Sequence, residues 1–270
     1  MNREDVEQLV RRAAAAFNER RPDEARRLCE AGLIQQPNEP TLNHLLAAVL
    51  FAAGATADAR QRIDASLSAR PGHAAALLLA ARITRAEQDF AAALGYLDDA
   101  IRRGATPALL IEKARLLDQT ADHEQRRSGW QAVLDGDPRN HEAMARLGRA
   151  CWEAGDATEA KPLLESAIEG DAPASTWFDL GLVRQDLGDL SGAAAAYRHA
   201  LGMKPDFAEA AVNLGVVQQE AGDMDGALKS YRLAYRLRPA TFGTIAMALT
   251  SGPYGRLWLD EDSLRRSLGG

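Results

Sequence analysis

Three arginines recur at nearly equal intervals through the middle of the chain: Arg82, Arg115 and Arg149, in steps of 33 and 34 residues. Arg85 and Arg146 each stand three residues from one of them, close enough to share a helical face. A guanidinium presents a planar fork of donors that matches a carboxylate or a phosphate with two parallel hydrogen bonds. A row of such groups suits an acidic or phosphorylated segment. The same arginines could instead be neutralised at home by Glu112, Asp118, Glu142, Asp179 and Asp186, as an internal ion-pair network. Both arrangements are compatible with the sequence.

No other residue set has the spacing of a reactive site. His44, His73, His123, His141 and His199 are scattered, and no two form the i, i+4 pair of a zinc-binding helix. Cys29 and Cys151 are the only cysteines and read as small buried hydrophobes. No Gly-rich phosphate loop and no nucleophile elbow occurs. The expectation is a non-enzyme with no metal and no cofactor. The 38 acidic and 32 basic residues leave a net charge of −6, and the pI is about 5.5. Such a surface does not suit nucleic acid, whose binding depends on cations that displace phosphate counterions. No stretch approaches the roughly 20 apolar residues of a membrane helix. The opening MNREDVEQLVRR lacks the apolar core of a signal peptide, so a cytoplasmic protein is expected. With 28 Arg against 4 Lys, the composition suggests a GC-rich bacterial genome.

The elements that carry these residues are helices. Ala and Leu fill 88 of 270 positions, whereas Val, Ile and Thr fill 25. The first pair favours helices and the second group favours strands. The helices come in a repeat. Residues 174–207 and 208–241 match in register: Leu180-Gly181 recurs as Leu214-Gly215, and Gly188-Asp189 as Gly222-Asp223. Ala193, Tyr197, Ala200 and Pro205 recur as Ala227, Tyr231, Ala234 and Pro239. The small residue of the first helix extends backwards as Ala13, Ala47, Ala81, Ala114 and Gly148. A left-handed Gly188 can end one helix while Asp189 caps the next.

This pattern resembles the tetratricopeptide repeat family, which has a 34-residue period, a Leu-Gly pair, an Ala-x3-large pair and a closing proline. The resemblance covers about residues 6–239 as seven repeats starting near 6, 40, 74, 107, 141, 174 and 208. It implies an all-α, right-handed superhelical solenoid of antiparallel helix hairpins with a concave groove. It also implies that unit positions 2, 5, 6, 9, 12 and 13 of each first helix face that groove. Arg82, Arg115 and Arg149 then stand at position 9, with Arg85, Arg146 and Trp152 on the same central stretch. His44, Phe178 and Asn213 stand on the flanking units. Position 5 lacks the residues by which chaperone-binding members clamp a terminal carboxylate, so no such binding is expected.

The segment 240–270 breaks the period and is expected to form a C-terminal cap, with helices over 241–249 and 261–268. Tyr254, Leu257 and Trp258 lie between them. They read either as part of the cap or as an anchor for a partner or a second copy of the chain. The function expected from the sequence is a protein-interaction scaffold that binds a peptide or partner protein in its groove. The alternative is an accessory subunit or domain that recruits a protein substrate to an enzyme such as a transferase or oxygenase.

Overall fold

The computed structural model describes residues 3–119, 123–251 and 261–269. Among them every regular element is helical. Two compact units divide the chain, Met1–Ala121 and Asp122–Gly270.

The first unit holds α1 (Arg3–Asn18), α2 (Pro22–Gln35), α3 (Pro40–Ala52), α4 (Thr56–Ala69), α5 (Ala74–Ala86), α6 (Phe90–Arg103) and α7 (Pro107–Leu117). The second holds α8 (His123–Gly136), α9 (His141–Glu153), α10 (Ala157–Ala167), α11 (Ala174–Asp186), α12 (Leu190–Met203), α13 (Ala208–Glu220), α14 (Met224–Leu237), α15 (Phe242–Ser251) and α16 (Glu261–Gly269). Within each unit, consecutive helices pair as hairpins, as in α3 with α4 and α11 with α12. Each hairpin then packs its second helix on the next first helix, as in α4 on α5 and α12 on α13.

Local chemistry starts and stops these helices. Gly188 and Gly222 take left-handed conformations, with φ of 78° and 84°. The aspartates after them then cap α12 and α14: Asp189 accepts from the Gly192 amide at 2.9 Å, and Asp223 from the Gly226 amide at 2.9 Å. Proline sits in the first turn of α2, α3 and α7, where its missing N–H would have had no partner.

The small residues of the repeat are the points of closest packing. Ala13, Ala47, Ala25, Ala59, Ala193 and Ala227 are wholly buried. Cys29, Ile63, Leu164, Tyr197 and Tyr231 fill the space beside them and are equally buried. The Tyr231 hydroxyl donates to Gln219 Oε1 at 3.1 Å, and Gln219 Nε2 donates to the Ala248 carbonyl at 2.8 Å. That relay ties the last repeat to α15, which takes the place of a further first helix. Ile245, Leu249, Leu264 and Leu268 close the core there. Tyr254, Leu257 and Trp258, the expected tail anchor, lie outside the described residues.

Candidate protein-interaction face

Successive first helices approach one another: α1 with α3 and α3 with α5 in the first unit, α9 with α11 and α13 with α15 in the second. Among the helices of the hairpins α1–α14 no such approach joins one second helix to the next. The first helices therefore form the inner face of each stack.

In the first unit this face is mostly apolar. Helix α3 carries no charged residue and sets His44, Leu45 and Phe51 half-buried on it. The His44 ring meets His73 edge-on, with centroids 5.7 Å apart. Its Nδ1 is buried without a hydrogen-bond partner. Burial, with a smaller push from His73, holds its pKa below the ordinary histidine range. Leu78 continues the strip on α5. Arg82 follows, donating through Nε and Nη2 to Glu112 Oε1 at 3.0 and 2.6 Å. Arg85 reaches the other oxygen of Glu112 at 3.6 Å. Two guanidinium groups thus share one carboxylate of α7 that is largely buried. Arg115 lies exposed on α7.

The second unit carries Arg146, Arg149 and Trp152 on α9. Arg149 donates to Glu153 Oε1 at 2.7 Å and to Asp179 of α11. Burial pushes the Asp179 carboxyl above its usual range, and Arg149 and Arg146 pull against that rise. The Arg149 guanidinium also stands 4.8 Å from the centre of the Trp152 ring. Trp152 Nε1 donates to Asp186 Oδ2 at 2.6 Å. Phe178 packs between Tyr197 and Phe207, with centroids 5.7 and 4.9 Å away. Asn213 stands half-buried on α13 beside the Tyr197 hydroxyl. The structure therefore joins Arg82 with Arg85, and Arg149 with Trp152. Glu112 and Asp179 are partners expected from the sequence. Asp186 turns to Trp152. Glu153 was missed, although its i, i+4 spacing from Arg149 announces the pair.

Burial pushes the Cys29 thiol up to about 12 and raises Cys151 as well, so neither is a ready nucleophile. Among the described residues, no group of three or more His, Cys, Asp or Glu could hold a metal ion. No described helix is long and apolar enough to cross a membrane.

Comparison with known proteins follows this geometry. A family model described as tetratricopeptide repeat matches residues 112–175 and 178–240. A second of the same description matches residues 16–83. No curated protein matches the chain. A solved structure of MamA from Desulfovibrio magneticus is similar at 20% identity and a TM-score of 0.58, over 62% of this chain and 96% of that one. A tetratricopeptide repeat protein from Parabacteroides merdae is similar at 14% identity and a TM-score of 0.60, over 92% of this chain and 98% of that one. The Cut9 and Hcn1 hetero-tetramer is similar at 15% identity and a TM-score of 0.58, over 95% of this chain and 48% of that one. At such identities the likeness is one of fold.

Proposed function

Since the chain belongs to the tetratricopeptide repeat family, we propose that it is a non-enzymatic scaffold that holds a segment of another protein against its first helices. The observation that carries this reading is the uncovered apolar face of those helices. Leu45, Phe51 and Leu78 in the first unit, and Phe178, Leu182 and Val216 in the second, are half-buried in the core and half open. Apolar surface rimmed by polar groups is what protein partners cover. A chain of similar fold was solved in the Cut9-Hcn1 hetero-tetramer, which supports partner binding as a use of this architecture.

An acidic or phosphorylated segment is the finer expectation from the sequence. It would have to draw Arg82 and Arg85 from Glu112, or Arg149 from Asp179 and Glu153. That competition makes the apolar strip the main source of contact. The test is affinity capture from a lysate of the source cell with the full chain as bait, read by mass spectrometry. Leu45→Ser and Leu182→Ser are expected to lose captured partners while keeping a helical melt. Identical capture by wild type and both variants would refute binding on this face.

A further inference from the structure

We propose that the first-helix face of the second unit takes a cationic segment of a partner protein, one that carries lysine or arginine beside apolar residues. The inference rests on the scaffold reading above and names the chemistry of its partner.

The feature is an apolar strip with a charged border. Phe178 and Leu182 on α11 and Val216 on α13 form the strip, while Val212 is buried in the core. Along one edge, all three first helices from α9 to α13 end on a carboxylate: Glu153, Asp186 and Glu220. The steps are 33 and 34 residues, so the three occupy one position of the repeat. The first helices of the other unit end on Asn18, Ala52, Ala86 and Leu117, none of them charged. At that repeat position the earlier units carry Asn18, Ala52, Ala86 and Gln119, so the run of three acids is confined to the second unit, although Glu87 and Asp118 stand at the ends of α5 and α7.

The charges of this face do not cancel. Arg149 is engaged by Glu153 and Asp179, and Glu153 also binds Arg126 at 3.0 Å. Asp186 has only the neutral indole N–H of Trp152 as a described partner. Among the described residues neither Asp186 nor Glu220 has a cationic partner. The Tyr197 hydroxyl lies near these acids: burial raises its pKa, the Asn213 hydrogen bond pulls it down, and Asp186, Glu220 and Asp179 add smaller pushes upward. Asp186 and Glu220, unlike Asp179, also stand at the negative end of a helix dipole, where an acid is unfavourable. Glu153 is compensated there by Arg149 and Arg126 and Asp186 only by the Trp152 indole, whereas no contact among the described residues compensates Glu220. A cation arriving along the strip would satisfy the two carboxylates and the three helix ends together, while its apolar neighbours covered Phe178 and Leu182. An acidic segment would meet repulsion on the same path.

The test uses the full chain and a random-sequence peptide library displayed on phage. Enriched peptides are expected to carry lysine or arginine interleaved with apolar residues. The double variant D186N/E220Q is expected to bind an enriched peptide about tenfold more weakly, and added salt to weaken the wild-type complex. Asparagine at 186 keeps an acceptor for Trp152, and both changes relieve helix ends, so the variant should melt no lower than wild type. Enrichment of acidic or uncharged peptides would overturn the proposal and leave the scaffold reading standing. So would salt-independent binding, or affinity unchanged in the double variant. Failure to enrich any peptide would overturn both.

Discussion

Gly181 lies flat against the ring of Tyr197, so close that a methyl group on the glycine would collide with the ring edge. One repeat later, a Cβ on Gly215 would stand 2.5 Å from Tyr231 Cε1. Ala81, where the first unit carries the extra methyl, stands one hairpin pairing from Leu97, a smaller side chain. Gly181→Ala is expected to cost about 1–3 kcal/mol by overpacking, less the roughly 1 kcal/mol that alanine gains as a helix former. Tyr197→Leu in the same chain should return part of the loss. Urea unfolding of the two singles and the double measures this, and strictly additive losses would contradict it.

Gln88 takes a left-handed conformation with φ of 63°, at the repeat position where Gly54, Gly155, Gly188 and Gly222 stand. A side chain there is strained by about 1–2 kcal/mol. Gln88→Gly should therefore stabilise the first unit by about 0.5–1 kcal/mol after the extra entropy of an unfolded glycine is counted. A higher thermal midpoint checks this. The reverse change, Gly188→Gln, should lower it.

Arg149 and Asp179 form a pair in which the acid is the more deeply buried partner, with side-chain exposures of 37% and 16%. Arg149→Met would leave that carboxylate with weaker compensation. A loss of about 1–3 kcal/mol is expected, discounted from a fully buried pair because Arg149 is partly solvated. Adding Asp179→Asn should recover much of it. A double change no better than Arg149→Met alone would place the arginine's contribution elsewhere.

His44 should make the native state sensitive to mild acid. Its folded pKa is lowered from 6.5. Below that value the unfolded chain binds the proton more readily than the folded one, so stability falls as pH drops from about 7 towards the folded pKa. His44→Gln removes this contribution. Thermal midpoints measured from about pH 7 to about pH 5 should fall less steeply in the variant than in wild type. Parallel curves would show that His44 does not titrate in this way.

Much of the local architecture was legible because neighbours along the chain decide it. Gly188 ends α11 and Asp189 caps α12 through atoms three or four residues away, so the dipeptide itself carries the signal. The Leu-Gly and Ala-x3-Tyr spacings likewise announced the contact of Gly181 with Tyr197, since each helix presents one stripe to the other. Arg20 and Gln88 in left-handed turns were not legible. Neither side chain favours that conformation, and the surrounding hairpin imposes it.

The site was legible only as a set of candidates. The recurrence of Arg82, Arg115 and Arg149 is a fact of spacing, and spacing by itself determines which helix and which face carry a charge. It does not determine what that charge meets. Arg149 ends on Asp179 and Arg82 on Glu112, each thirty residues away, while Asp186 gives its oxygen to Trp152. The carboxylates at the ends of α11 and α13 were equally visible as letters, yet that no described cation meets them appears only once the arginines have been placed. The sequence alone determined the repeat, because period and residue size act through short-range contacts. The tertiary structure decided the electrostatics of the face, because Coulomb energy depends on distance and burial, and long side chains choose between partners only when neighbouring helices are brought together.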